Sequence, residues 1–181
     1  ELAKANHIDH VMAVVKVFAG HFDFVNQISS LGITHIGDSR IENLMKLESI
    51  KLPKLLVRLP MISESASVVK YADVSLNSEL KTIQALDQEA RKQNKKHQII
   101  LMFDLGDLRE GIYHSSDYLS IIHEILALKH IHLLGIGTNL TCYGGLVPSA
   151  DILERLVTVK NHIEKTFDIK LEIISGGNSS T

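Results

Sequence analysis

The chain contains a single cysteine, Cys142, so no internal disulfide can form, which fits a reducing compartment, with the cytoplasm as the expected location. No apolar run approaches the roughly 20 residues needed to cross a bilayer. The first residues, Glu1-Leu2-Ala3-Lys4-Ala5-Asn6, lack the shape of a secretory signal. Membrane insertion and secretion are therefore not expected. Charge of one sign is missing too: 19 basic and 21 acidic residues are scattered along the chain, for a formal net charge of -2. Nucleic acid or an anionic membrane would call for a concentrated basic patch, so a small molecule is the expected partner. There is also no long Pro/Gly/Ser linker, short-period repeat or low-complexity tract, which leaves one domain over residues 1–181. The Lys95-Lys96 pair after Arg91-Lys92 marks the exposed end of a helix.

What remains is a globular composition, 45% hydrophobic over 181 residues, enough for a real core. Seven short β-branched runs recur: Val11 to Val17, Ile33 to Gly37, Lys54 to Leu59, Ala72 to Leu76, Gln98 to Leu105, Ile131 to Thr138 and Lys170 to Ser175. Segments of helical spacing lie between them, such as Phe24, Val25, Ile28 and Leu31, or Leu80, Ile83, Leu86 and Ala90, or Ile152, Leu153, Leu156, Val159 and Ile163. Alternation of this kind predicts an α/β fold with a parallel sheet covered on both faces, because each crossover helix must pack back on the sheet. Periodicity leaves a barrel and an open doubly wound sheet both standing. Seven units ending on a strand would leave a barrel one strand short of eight. The chain also opens without Met, inside a helical pattern, and stops in Gly176-Gly177-Asn178-Ser179-Ser180-Thr181, so an incomplete barrel is the expectation.

In parallel α/β folds the chemistry gathers at the carboxyl ends of the strands. Lys16 follows Met12-Ala13-Val14-Val15, where an ammonium could be desolvated and made available for Schiff-base chemistry; a solvated lysine is the plainer alternative. Arg109, in Asp104-Leu105-Gly106-Asp107-Leu108-Arg109-Glu110-Gly111, could pair with a phenolate or carboxylate of a ligand, or merely with Asp107 or Glu110. The stretch Thr138 to Gly145 clusters hydroxyl, amide, thiol and phenol groups in one loop after the sixth run. Its Cys142 has no evident paired histidine and reads as a packed thiol rather than a nucleophile. The loop Ser175-Gly176-Gly177-Asn178-Ser179-Ser180 could turn backbone N–H groups and hydroxyls onto a phosphate, or could be a plain turn. Among ten histidines, His130 with His132 and His7 with His10 have ligand-like spacing, but no third ligand joins either pair, so no metal site is expected.

Taken together, Val14-Val15-Lys16-Val17-Phe18-Ala19-Gly20, Gly37-Asp38-Ser39-Arg40-Ile41-Glu42-Asn43-Leu44, Asp104 to Ile112, Gly135 to Gly145 and Ser175 to Ser180 resemble the alanine racemase superfamily, in particular its ornithine-racemase-type branch. The resemblance runs in order along essentially the whole chain. It implies a (β/α)8 TIM barrel of the fold-type III pyridoxal-phosphate enzymes, here lacking the eighth strand and a C-terminal β domain. It also implies that the lysine ending the first strand, Lys16 here, holds pyridoxal 5'-phosphate as a Schiff base. Arg109 resembles the arginine near the cofactor's phenolic oxygen, Asn139 falls where a ring-flanking residue belongs, and Gly177, Asn178 and Ser179 resemble the phosphate-gripping loop. The loop of Asp38, Ser39, Arg40 and Asn43 matches the branch without an assignable contact, and Arg58 suits a structural or a site role equally. One departure is plain: Phe18-Ala19-Gly20-His21 replaces the phosphate-holding tyrosine that alanine racemases carry shortly after the lysine, so the phosphate cradle must be arranged differently.

The implied activity is interconversion of L and D amino acids by α-proton abstraction, on ornithine or another basic amino acid, in a homodimer. The second acid/base is implied to be a tyrosine of the C-terminal domain, contributed across that dimer. Residues 1–181 alone are expected to bind the cofactor weakly at best. Two alternatives share the barrel and the lysine: a non-catalytic pyridoxal-phosphate carrier, and a decarboxylase or aldolase.

Overall fold

The structure, a computed structural model, describes residues 5, 6, 8–141 and 143–176. Eight strands lie within them: β1 (Met12–Val14), β2 (His35–Asp38), β3 (Lys54–Leu56), β4 (Val74–Asn77), β5 (His97–Asp104), β6 (Ile112–Tyr113), β7 (Ile131–Gly137) and β8 (Ile173–Ser175). They alternate with α1 (Phe22–Ser29), α2 (Ile41–Lys46), α3 (Ser65–Tyr71), α4 (Leu80–Lys92), α5 (Tyr118–Leu126) and α6 (Ala150–Phe167). The sheet runs β1-β2-β3-β4-β5-β7-β8, every pair parallel, with β6 lying off this path beside the end of β5. Seven strands in sequential parallel order with helices between them form most of a TIM barrel, open between β1 and β8 among the described residues.

The alternation of side chains along each strand divides the core into layers. On the helix side, Leu56, Ile99, Leu101, Phe103 and Ile136 pack against Val68, Ile83, Leu86, Ile122, Leu156 and Ile163. A separate cluster of Val15, Val25, Ile36, Leu47 and Ile50 does the same under α1 and α2. On the concave side, Leu55, Val74, Leu76, Ile100, Met102 and Leu134 meet Met12, Val57 and Ile173, as the filled interior of a barrel requires. Each fully buried side chain of this size contributes roughly 1.5–3 kcal/mol of transfer free energy.

All seven strands expected from the sequence are present, but several are shorter. The first ends at Val14 because Val15, at φ -101° and ψ 13°, leaves the extended region and starts a 3-10 turn over Lys16–Phe18. The third ends at Leu56, although Val57 still donates to Asp38 O at 3.0 Å. The eighth element, β6, was not expected. It is two residues long, set beside β5 by Gly111 at φ +120°, where a Cβ would stand 2.6 Å from Asp104 N. At Gly135 a Cβ would lie 1.9 Å from Ile173 O, so only glycine lets β7 and β8 come together. The Lys95-Lys96 pair follows the end of α4, and Lys95 Nζ donates to Val69 O and Lys70 O at the carboxyl end of α3, where a cation suits the exposed carbonyls.

One buried polar chain runs under the helices. Asn77 Nδ2 donates to Ser75 O (3.0 Å) and Ser75 Oγ (2.8 Å), and Ser75 Oγ lies 2.8 Å from His97 Nε2. His97 is 2% exposed, and burial lowers its pKa from 6.5 to about 4, against the pull of Asp73.

Candidate active site

Parallel strands point their carboxyl ends to one rim, and the loops leaving that rim carry Lys16, Arg109 and Asn139. Lys16 opens the 3-10 turn after β1, with its side chain exposed. Among the described residues its amine makes no hydrogen bond or ion pair, whereas Lys46 and Lys54 are each committed to carbonyl oxygens. The turn is closed by Ala19 in the left-handed region (φ 48°) and by Gly20 (φ +74°), whose missing side chain leaves room for Asn43 and Lys46 of α2. Lys16 is therefore a solvent-exposed amine, without a partner among the described residues, on a turn just past the end of β1, and not the desolvated ammonium considered from the sequence.

The loop between β5 and β6 is built around Asp104, whose Oδ1 accepts from Gly106 N (2.8 Å) and Leu108 N (3.2 Å). Its backbone is left-handed at Gly106 (φ +123°), Leu108 (φ +55°) and Gly111 (φ +120°). A leucine in that region costs on the order of 1–2 kcal/mol, so the loop needs strong holding elsewhere. Asp107 supplies it. Its side chain is buried, and its carboxylate accepts N–H groups from Thr141 (3.2 Å), Tyr143 (3.2 Å), Leu146 (2.9 Å) and Gly144 across the loop after β7. Burial pushes this carboxyl up, but the backbone donors outweigh it and hold the pKa below the usual carboxylate range. A Cβ on Gly144 would stand 2.3 Å from Asp107 O, so the close approach needs glycine there.

Glu110 ties the same two loops a second time. Arg109 Nε lies 3.3 Å from Glu110 Oε1, and Asn139 Nδ2 donates to that same oxygen. Of the two acids flanking the arginine, Glu110 is thus its partner, while Asp107 is consumed by the neighbouring loop. Among the described residues the terminal guanidinium nitrogens of Arg109 make no hydrogen bond, and its side chain is 33% exposed. The sequence-expected Arg109 and Asn139, 30 positions apart, are brought together through a residue weighed only as a surface partner. The available signal was the pair of acids around one arginine between two glycines.

Other expected residues have structural work. Asp38 is fully buried and accepts from Arg40 N (2.8 Å) and Asn43 Nδ2 (3.1 and 3.2 Å), fixing α2 on the end of β2. Arg58 donates to Ser39 O, Leu59 O and both oxygens of Glu64, so it braces the loop after β3. Burial would raise the pKa of Glu64, yet Arg58 and Met61 N–H bring it below the ordinary value. His132 pairs with Glu172 at 2.8 Å. Gly177, Asn178 and Ser179, with Cys142 and His7, lie outside the described residues. Thr138 Oγ1 is buried without a hydrogen-bond partner among the described residues, while Thr138 N donates to Ser175 O at 3.1 Å.

Two cavities, of about 420 and 500 Å³, contain none of Lys16, Arg109 and Asn139; the first lies between the loop after β3 and the start of α4, the second near Asp73 and Lys95. The rim itself is open, because the strands of the described residues do not close round it. No helix among these residues is long and apolar enough to cross a membrane.

Comparison with known proteins agrees with this architecture. The chain is 46% identical over 168 residues to ornithine racemase of Acetoanaerobium sticklandii, covering 93% of this chain and 48% of that protein. It is 35% identical over 181 residues to lysine racemase of Thermotoga maritima, covering 99% and 50%. The chain thus spans about half the length of the curated relatives it matches. The fold matches PipY of Synechococcus elongatus PCC7942, solved with PLP bound, with a TM-score of 0.78 at 15% identity, over 97% of this chain and 86% of that one. Residues 2–181 match the family model described as alanine racemase, N-terminal domain. With the parallel barrel strands in sequential order and a match along nearly its whole length, the chain belongs to the alanine racemase N-terminal domain family.

Proposed function

We propose that the protein is a pyridoxal-phosphate-dependent amino-acid racemase acting on ornithine or another basic amino acid. The observation that carries this is the exposed amine of Lys16, without a partner among the described residues, on the same rim as the Arg109–Glu110–Asn139 cluster, in a chain 46% identical to an ornithine racemase. The residues present fit the cofactor chemically. Among the described residues Lys16 offers an amine without a partner, which suits its aldehyde, Arg109 offers terminal nitrogens without a hydrogen bond, which suit its phenolic oxygen, and Thr138 offers a buried hydroxyl without a partner, next to Ser175 at the end of β8. Gly177, Asn178 and Ser179 are proposed to hold the phosphate, and Asn139 to flank the ring.

When bound, pyridoxal phosphate supplies an electron sink that acidifies the α-carbon of an amino acid. Lys16 Nζ takes the α-proton on one face and returns it, as a positioned general base and acid. Arg109 would donate to the cofactor's phenolic oxygen through its terminal nitrogens while its Nε keeps its ion pair with Glu110. Inversion requires a second proton-transfer group on the opposite face; we assign it to a tyrosine of a C-terminal domain contributed by a homodimer partner. The test, on the protein that includes the C-terminal domain, is ornithine with pyridoxal phosphate in deuterated water, followed by proton NMR. Loss of the α-proton signal with gain of the D enantiomer, abolished in Lys16→Ala, is expected; an unexchanged α-proton in the cofactor-loaded protein would refute it.

The likeness to PipY, which this chain matches over 86% of its length, favours a second reading, a cofactor-binding protein without turnover. Lys16-dependent binding with no α-proton exchange would select it.

A further inference from the structure

We propose that Glu110 is a positioning residue that locks Arg109 and Asn139 into one unit facing the cofactor ring. The inference rests on the functional reading above and deepens it.

The geometry is a shared acceptor. A single oxygen, Oε1, serves Arg109 Nε at 3.3 Å and Asn139 Nδ2, and the Glu110 side chain is only 15% exposed. Two consequences follow from donor and acceptor chemistry. An ion pair at Nε draws the guanidinium towards Glu110 and leaves the outer nitrogens as the donors available to a ligand. Holding Nδ2 of Asn139 fixes which way the amide faces, so Oδ1 is turned away from the carboxylate. Without Glu110 either side chain could rotate, and binding would bear the cost of ordering both. The backbone reinforces this assignment: Leu108 and Gly111, on either side of the Arg109-Glu110 pair, are left-handed, and Gly111 presses against β5 so tightly that no Cβ fits. A loop kept in a strained shape on both sides of two residues sets the direction in which their side chains leave the backbone. Asp107 then pins the partner loop, so that Asn139 arrives at the same oxygen.

The experiment uses the unaltered protein, Glu110→Gln, Arg109→Ala and the double variant, with two readouts. The first needs no cofactor: the Arg109 Nε–H cross-peak in a ¹⁵N spectrum, assigned by its disappearance in Arg109→Lys. We expect its exchange to accelerate severalfold in Glu110→Gln, as befits removal of the carboxylate that ion-pairs with Nε and repels the hydroxide that catalyses exchange. The second is the dissociation constant for pyridoxal phosphate by absorbance titration. It should rise about tenfold in Glu110→Gln, and the double variant should lose clearly less than the sum of the two single losses, because part of the effect of Glu110 is exerted through Arg109. Glu110→Asp, which keeps the charge, should recover part of the exchange protection. Nε–H exchange unchanged within about twofold in Glu110→Gln, or strictly additive binding losses, would overturn the proposal. If the unaltered protein does not bind pyridoxal phosphate, the functional reading fails, and the Nε–H readout still decides whether Glu110 orders Arg109.

Discussion

Acidification should destabilise this fold through one buried imidazole. The chain Asn77 Nδ2 to Ser75 Oγ to His97 Nε2 is satisfied if the serine hydroxyl accepts from the amide and donates to an unprotonated Nε2. Protonating Nε2 turns it into a donor facing that hydroxyl proton, in a site that is 2% exposed. The folded pKa is about 4 against an ordinary 6.5, so between these values the unfolded chain holds more protons than the native one. Stability is therefore full above about pH 6.5 and falls as the pH is lowered towards 4. The linkage relation gives a loss of about 2 kcal/mol by pH 5 and about 3 kcal/mol in all. Urea unfolding followed by circular dichroism at pH 7 and pH 5 measures this, and His97→Gln removes the titration while leaving the other nine histidines. The wild-type protein should lose about 2 kcal/mol more over this interval than the variant. Parallel losses in the two proteins would refute the reasoning.

The loop-pinning carboxylate gives a second expectation. Asp107→Ala leaves several N–H donors of residues 141–146 without their acceptor and should cost roughly 3 kcal/mol by denaturant titration, with faster amide exchange in that loop. Because the pKa of Asp107 is depressed, its contribution is present above about pH 4 and disappears as the pH falls through the folded value; Asp107→Ala should flatten the acid limb of the stability curve. Gly135→Ala forces a Cβ onto Ile173 O and should cost about 3 kcal/mol or more, with loss of protection in β7 and β8 by hydrogen exchange. Asp38→Ala strands Arg40 N and Asn43 and should cost about 2 kcal/mol, read as a lower unfolding midpoint.

The sheet was legible because strand and helix periods alternate cleanly, and a parallel sheet buries apolar runs on both faces. Strand ends were less legible. Val15 and Val17 continue the β-branched composition of β1 after the backbone has turned, and nothing in residue type announces a ψ of 13°. The pair Ile112–Tyr113 is too short for any period to reveal, and it depends on the tight contact of Gly111 with Phe103 and Asp104. At the rim, Lys16 and Arg109 could be picked out as polar residues following apolar runs. Their surroundings could not, because Glu110 to Asn139 and Asp107 to residues 141–146 are contacts between loops about 30 positions apart, fixed only when β5 and β7 pair. Asp38 shows the converse: a motif residue at a strand end whose carboxylate is wholly used in holding α2.

The most direct trial of the central claim is chemical trapping. Incubation with pyridoxal phosphate, borohydride reduction and peptide mapping by mass spectrometry should place one pyridoxyl group on the peptide containing Lys16, and none there in Lys16→Ala. A label spread over the other lysines, or confined to a different one, would contradict the account.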